Sequence, residues 1–367
     1  MRLFEQTADI DCRILDFINQ SREVKAPEGA FQDLALRIFD YQFRRNVFYR
    51  KFCTLKKKSP TNVKSWKEIP AIPALAFKEF VLTSFPMKEH VRVFQTSGTT
   101  QEIKGAHFFD TLSLYNRCIL PPFEKYLLPD GAKLSYYFLI SSAAEQPHSS
   151  LSYMMQVVRQ HFTGGRGTYY IKKGIGQFEK LAADLQKEKN KIFLLATTFS
   201  LQGFLDFLTK RKIKLRLAPG SRIMETGGFK GQGREILKSV FYAERNALLG
   251  IPKTHCVSEY GMTELSSQMY DTTLYDFVNQ KKRKSIKVGP SWLCTLVIDP
   301  RTGKEAARGT PGLLRHFDLA NRGSVMAVET EDLGRVSGEG FELIGRMKGA
   351  GLRGCSLNYE ELIKSGV

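Results

Sequence analysis

The chain is short of cysteine, and what it has is scattered. Its six cysteines (Cys12, Cys53, Cys118, Cys256, Cys294 and Cys355) contain no C-x-x-C pair, which argues against a disulfide framework or a ribbon-type zinc site. They read as reduced thiols, most of them core fillers. His255-Cys256 is adjacent rather than spaced for a metal. No uninterrupted apolar run is long enough to span a bilayer, so no transmembrane segment is expected. The start, Met1-Arg2-Leu3-Phe4-Glu5-Gln6, lacks a signal-peptide core, and the expected location is cytoplasmic. No internal repeat, low-complexity tract or usual DNA- or RNA-binding motif is found, so no nucleic-acid partner is expected. Acidic residues are outnumbered, 37 Asp+Glu against 55 Lys+Arg, for a net charge of +18. That excess leaves anionic small substrates or an acidic partner protein open. The densest basic runs, Lys56-Lys57-Lys58 and Lys281-Lys282-Arg283-Lys284, are short and read as solvated loops.

What is present is ordinary globular composition, 42% hydrophobic and 25% charged over 367 residues. Residues 1–90 read as helical and basic: Ile14, Phe17 and Ile18 have helical spacing, as do Phe31, Leu34, Leu36 and Ile38 approximately. Pro70, Pro73 and Pro86 punctuate the chain before the next region. From there strand-like runs alternate with amphipathic helices. Strands are expected at Tyr136–Ile140, Ile192–Ala196, Lys214–Leu217 and Ser221–Glu225. Helices are expected from Leu151 to Phe162 behind a Ser149-Ser150 cap, at Phe199–Lys210 and at Arg234–Leu249. This alternation predicts an α/β core over 91–290, a sheet covered by helices. Leu293–Ile298, Gly312–Phe317 and Val325–Glu329 predict a small antiparallel β subdomain over 291–344, followed by a hinge and a short segment over 345–367.

Five patches carry chemistry. Thr96-Ser97-Gly98-Thr99-Thr100 with Lys104 has little bulk, several hydroxyls and exposed backbone N–H groups, which suits a polyphosphate. It lacks the Gly-Lys-Ser/Thr of the common P-loop, and a solvated turn is the competing reading. Thr226-Gly227-Gly228 follows a strand, where glycine lets a flat ring or phosphate approach the backbone. Glu259-Tyr260-Gly261-Met262-Thr263-Glu264 offers an aromatic face and, in Glu264, a carboxylate suited to Mg²⁺. The alternative for Glu264 is an exposed acid at a helix start. Asp332 follows the last predicted strand, where an acid accepts ribose hydroxyls or merely sits in a turn. Gly345-Arg346-Met347-Lys348-Gly349 runs into Gly351-Leu352-Arg353-Gly354-Cys355-Ser356, a glycine-rich hinge that ends in a thiol flanked by cations.

In this order, Thr-Ser-Gly-Thr-Thr with its lysine, Tyr-Gly-Met-Thr-Glu, Glu-Asp-Leu-Gly and Gly-Arg-x-Lys resemble the motifs of the adenylate-forming superfamily of acyl-CoA ligases and luciferases. Pro70-Ala71-Ile72-Pro73 with Phe77-Lys78 narrows the resemblance to the LuxE-type acyl-protein synthetases, which activate long-chain fatty acids for a reductase complex. So do Pro147-His148-Ser149-Ser150-Leu151-Ser152-Tyr153-Met154, Glu225-Thr226-Gly227-Gly228-Phe229-Lys230-Gly231 and Leu352-Arg353-Gly354-Cys355-Ser356-Leu357. The resemblance covers the chain from about Pro70 to its end and extends to its helical start.

It implies ATP and Mg²⁺ as cofactors and a fatty acid as substrate. Thr96, Ser97, Gly98, Thr99, Thr100 and Lys104 would hold phosphates. Gly227, Gly228 and Tyr260 would frame adenine, and Glu259, Gly261 and Thr263 are expected to bind the cofactor beside them. Thr263 lies beside Glu264, the metal carboxylate. Asp332 would take the ribose, Arg346 would reach the nucleotide, and Lys348 matches the hinge residue. His148, just before a capped helix, would line or gate the acyl site, or else bond only to backbone. Superfamily ligases carry a mobile C-terminal domain with a catalytic lysine. Only 22 residues follow Gly345 here, so that domain is expected to be absent or truncated. Cys355 matches the LuxE acyl acceptor, and a thiolate beside Arg353 and Lys348 is a suitable nucleophile. The implied activity is fatty-acid adenylation followed by transfer to Cys355, for delivery to an acyl reductase or transferase partner. Two alternatives remain open at this stage: a ligase using free CoA, and a nucleotide-binding regulatory subunit without turnover. His107 reads as strand packing.

Overall fold

The computed structural model describes residues 3–21, 28–96, 103–227 and 238–347. The chain divides into two compact units. One gathers the described parts of Met1–Pro121, Met262–Gln268 and Ile286–Val367; the other comprises Pro122–Gly261 and Met269–Ser285.

The second unit carries the βα alternation. Ser135–Ser141, Ile192–Thr197, Arg222–Thr226 and Cys256–Tyr260 are parallel neighbours, Ser135–Ser141 also pairs in parallel with Thr168–Lys172, and short antiparallel strands flank both sides. The strand Ile192–Thr197 is buried through Ala196, as expected of a parallel strand covered on both faces. The helices Phe178–Lys187 and Thr198–Lys210 supply Leu181, Leu185, Leu201, Phe204, Leu205 and Leu208 to a core shared with Leu194, Ile223 and Leu249. The Met/Leu stripe of the helix Ser150–Thr163 is core, with Met154, Met155 and Val158 buried. That helix starts as its sequence predicts: Ser149 accepts a hydrogen bond from the Ser152 amide at 3.1 Å, and Gly164 ends it at φ 60°. Ser149→Ala is expected to cost about 1 kcal/mol of stability in denaturant melts; an unchanged midpoint would show the cap to be dispensable.

In the first unit, Leu293–Ile298, Gly312–Asp318, Ala327–Ser337, Gly340–Arg346 and Lys287–Val288 form an antiparallel sheet, and Ile72–Pro73 joins Ala327–Ser337 in parallel. The helices Leu3–Gln20, Glu28–Arg45 and Val47–Leu55 realise the expected helical start. A separate hairpin pairs Arg92–Gln95 with Ala106–Phe109. A buried ion cluster ties this unit together. Arg322, 1% exposed, grips Asp11 of the first helix with two nitrogens at 2.7 and 2.8 Å and Asp110 with a third at 2.7 Å.

Two local expectations are corrected. Lys214–Leu217 is not a strand: it lies in an irregular stretch whose Leu215 amide bonds the Leu248 carbonyl at 2.7 Å, with no ladder. Asp332 does not end a strand. The strand runs on from Ala327 to Ser337, and Asp332 faces Arg346 in register just before a bulge. Pairing with Gly340–Arg346 keeps extended an acidic stretch that, alone, reads as a turn.

Candidate active site

The first unit holds the candidate phosphate loop by its base. The Thr96 amide donates to the Gly105 carbonyl at 2.9 Å, and the Gly105 amide donates to Thr96 Oγ1 at 2.9 Å. Two converging bonds thus close the mouth of the loop. A Cβ at Gly105 would stand 3.1 Å from Thr96 Cγ2 and 3.5 Å from Lys78 Cγ, so the base is closely packed. Lys104 is exposed at the loop's exit. Ser97, Gly98, Thr99 and Thr100 lie outside the described residues.

Glu264 is neither exposed nor helical. It sits buried in a turn after the strand Cys256–Tyr260. Burial pushes its carboxyl up to about 7, against the pull of Arg346 and Lys78, and Asp332 adds to the push. These residues place a carboxylate, an aspartate and two cations within electrostatic reach of one another inside the first unit. Arg346 also pairs with Glu331 at 2.6 Å. Lys78 is half-buried beside the loop base, and in the sequence only the Phe77-Lys78 motif marks it. Among the described residues no group of three or more His, Cys, Asp and Glu is placed to hold a metal ion. A cation at Glu264 would therefore take most of its ligands from phosphate oxygens and water, the usual habit of Mg²⁺.

The backbone around Glu264 is pinned by side chains from distant sequence. His107 Nδ1 donates to the Thr263 carbonyl at 2.9 Å, and Asn321 Nδ2 donates to the Glu264 carbonyl at 2.7 Å. Asn321 Oδ1 accepts from the Ser266 amide and hydroxyl, both at 2.8 Å. Asp318 accepts from the amides of Ser266 and Ser267 and from the Ser267 hydroxyl. Burial raises the Asp318 carboxyl to about 6 against those donors. His107 does pack in its strand, against Phe77 and Phe109, but it also makes this contact. Neither His107 nor Asn321 belongs to a motif, and nothing local in the sequence marks them for it.

In the second unit the other candidates lie at the carboxyl ends of parallel strands, where α/β sheets bind ligands. Gly227 follows Arg222–Thr226 at φ 82°, a left-handed conformation that favours glycine, with nothing within 4 Å of a Cβ. Thr226 donates to the buried Glu259 on the next strand, and Thr198 donates to Glu225. Tyr260 is buried at the strand end. A Cβ at Gly261 would collide with the Glu259 carboxylate. His148 is exposed in the turn after Ser135–Ser141, just before the capped helix. Gly228, Lys348 and Cys355 lie outside the described residues.

The family model of the LuxE acyl-protein synthetases matches residues 170–363, more than half of the chain. The chain belongs to the LuxE acyl-protein synthetase family. The long-chain-fatty-acid–luciferin-component ligase of Aliivibrio fischeri is 22% identical over 349 residues, covering 91% of this chain and 89% of that protein. Among solved structures, 2-hydroxyisobutyryl-CoA ligase in an open conformation, in complex with 2-HIB-AMP and CoA, is similar with a TM-score of 0.61 at 14% identity over 86% of this chain. The luciferase-like enzyme of the nonluminescent Zophobas morio mealworm gives 0.51 at 13% identity over 72% of this chain. The chain spans 66% and 60% of the length of those two structures, less than two thirds of each. They establish the fold, that of adenylate-forming ligases. No helix among the described residues is long and apolar enough to cross a membrane.

Proposed function

We propose that this LuxE-family chain activates a long-chain fatty acid with ATP and loads the acyl group onto its own Cys355. A fatty carboxylate oxygen attacks the α-phosphorus of ATP, the bond to the bridging oxygen breaks, and pyrophosphate leaves. The Cys355 thiolate then attacks the acyl carbonyl, the carbonyl–oxygen bond to AMP breaks, and a thioester forms. An acyl reductase or acyltransferase would take the group onward.

The family match carries this reading, because it runs through position 355. The chemistry of the described residues supports it. A loop with a fixed mouth, Thr96 and Gly105 at its base and Lys104 and Lys78 beside it, suits a triphosphate. Lys78 and Lys104 would balance the phosphate charge. Bound Mg²⁺ would neutralise charge on the leaving pyrophosphate, and Glu264 suits it as a single buried carboxylate. Asp332 is offered to the ribose and Arg346 to the nucleotide. Gly227, Tyr260 and Gly261 are offered to the adenine ring, and His148 to the acyl carboxylate.

Incubation with radiolabelled fatty acid and ATP is expected to leave hydroxylamine-labile label on the denatured chain. Cys355→Ala is expected to abolish that label and to retain carboxylate-dependent exchange of pyrophosphate into ATP. Label persisting in Cys355→Ala would remove the acceptor assignment, and acyl-CoA formed without labelled protein would replace it with free CoA.

A further inference from the structure

We propose that His107 is a positioning residue for the Glu264 carboxylate, acting through its bond to the Thr263 carbonyl. The inference rests on the adenylation reading and adds a residue that no motif of that reading contains.

His107 lies two residues beyond Gly105, which closes the phosphate loop, and stands opposite Phe94 in the hairpin register. The ring is 2% exposed and is wedged between Phe77, at 5.6 Å, and Phe109, at 4.1 Å. Neither neighbour can hydrogen-bond to it, and the ring has little freedom to turn. The partner at 2.9 Å is a carbonyl oxygen, so Nδ1 must carry the proton and the tautomer is fixed. The hairpin that offers phosphate contacts is thereby joined to the backbone one residue before the metal carboxylate. Thr263 Oγ1 returns a longer bond, 3.4 Å, to the Gln95 carbonyl on the opposite hairpin strand. Asn321 holds the next carbonyl, that of Glu264, at 2.7 Å. Two successive carbonyls are therefore fixed by two unrelated segments. The Glu264 side chain starts from a backbone that cannot slide relative to the loop base. Outer partners of this kind commonly matter to metal affinity about as much as a ligand's own geometry does.

The test compares two amides. His107→Asn keeps an N–H on the atom attached to Cγ, where Nδ1 stood, whereas His107→Gln moves it one bond farther out. Mn²⁺ binding in the presence of ATP is followed by electron paramagnetic resonance, and pyrophosphate exchange is followed against Mg²⁺ and fatty acid. Trp292, which donates to the Ser267 hydroxyl at 3.0 Å, reports in a Trp66→Phe background whether the 262–268 segment keeps its environment. His107→Gln is expected to weaken Mn²⁺ binding about tenfold or more and to raise half-saturating Mg²⁺ equally, with the KM for fatty acid unchanged. His107→Asn is expected to stay close to the parent. Equal metal affinity in His107→Asn and His107→Gln would overturn the proposal, and so would a lower melting temperature with unaltered Mn²⁺ binding. If the parent chain neither binds Mn²⁺·ATP nor exchanges pyrophosphate, the adenylation reading fails first and takes this inference with it. If the parent does both and His107→Gln matches it, only the inference falls.

Discussion

Replacing Arg322 with methionine is expected to destabilise the first unit by about 3–5 kcal/mol, the usual consequence of removing one partner of a buried ion cluster. The guanidinium spends three of its nitrogens on two carboxylates, Asp11 and Asp110, at 2.7–2.8 Å. Burial raises the Asp11 carboxyl, the bond and charge of Arg322 lower it and the charge of Asp110 raises it, with a net shift upward. Without the cation, two carboxylates with side chains only 18% and 17% exposed would repel each other with nothing between them. The effect would also spread. Arg322 follows Asn321, and Gln42 Nε2 donates to the carbonyls of both, at 2.9 and 3.2 Å. A loosened connection there would release the clamp on the Glu264 backbone. Arg322→Met combined with Asp11→Leu and Asp110→Leu is expected to recover most of the loss, since an apolar cluster removes the charges together. Urea titration of the single and triple variants decides it. A single variant within about 1 kcal/mol of the parent would mean that the cluster contributes no more than an ordinary surface ion pair.

The second large effect has opposite signs in stability and activity. Glu264→Gln is expected to lower acyl-adenylate formation at least about 100-fold, since it removes the carboxylate offered to Mg²⁺. The metal-free variant should nevertheless be more stable than the parent above neutrality. The folded-state carboxyl titrates near 7, raised from 4.5 chiefly by burial. A raised pKa means that the folded state holds the proton more tightly than the unfolded chain. Stability from that proton is complete below about 4.5 and is lost as pH rises through 7. The shift corresponds to about 3 kcal/mol at pH 8, and the amide of the variant cannot incur that cost because it does not ionise. Chemical denaturation with a chelator present should therefore show the variant ahead of the parent at pH 8 and level with it at pH 4. A constant difference across that range would show that Glu264 does not titrate near 7.

Much of this arrangement is legible in the sequence. The parallel strands of the second unit announce themselves as short apolar runs, and the helix after Ser149 by its hydroxyl cap and Met/Leu stripe. The order of the motifs pointed to the family that the comparison found. What the sequence concealed is long-range or cooperative. Lys214–Leu217 alternates charge and leucine as an exposed strand does, but no neighbouring strand pairs with it. Asp332 looked terminal because its extended state depends on a partner strand later in the chain. Glu264 stands out in the sequence as a carboxylate suited to Mg²⁺, but its burial, which excludes the alternative of an exposed acid at a helix start, has no local signature. The hold of His107 on Thr263 spans 156 positions and that of Asn321 on Glu264 spans 57, so no local pattern can announce either.

The seven residues Met262–Gln268 belong to the first unit, although the chain on either side of them belongs to the second. That threading has a consequence for biosynthesis. The stretch emerges from the ribosome well before Asp318 and Asn321, so the bonds these make to the turn bearing Glu264 must wait until some fifty further residues have been translated. A nascent chain stalled shortly after residue 285 would contain every strand of the second unit's parallel sheet and the His107 hold on Thr263, yet lack the Asp318 and Asn321 bonds that fix the rest of the turn. Nor can either unit be excised as one continuous gene fragment, because each is interrupted by the other.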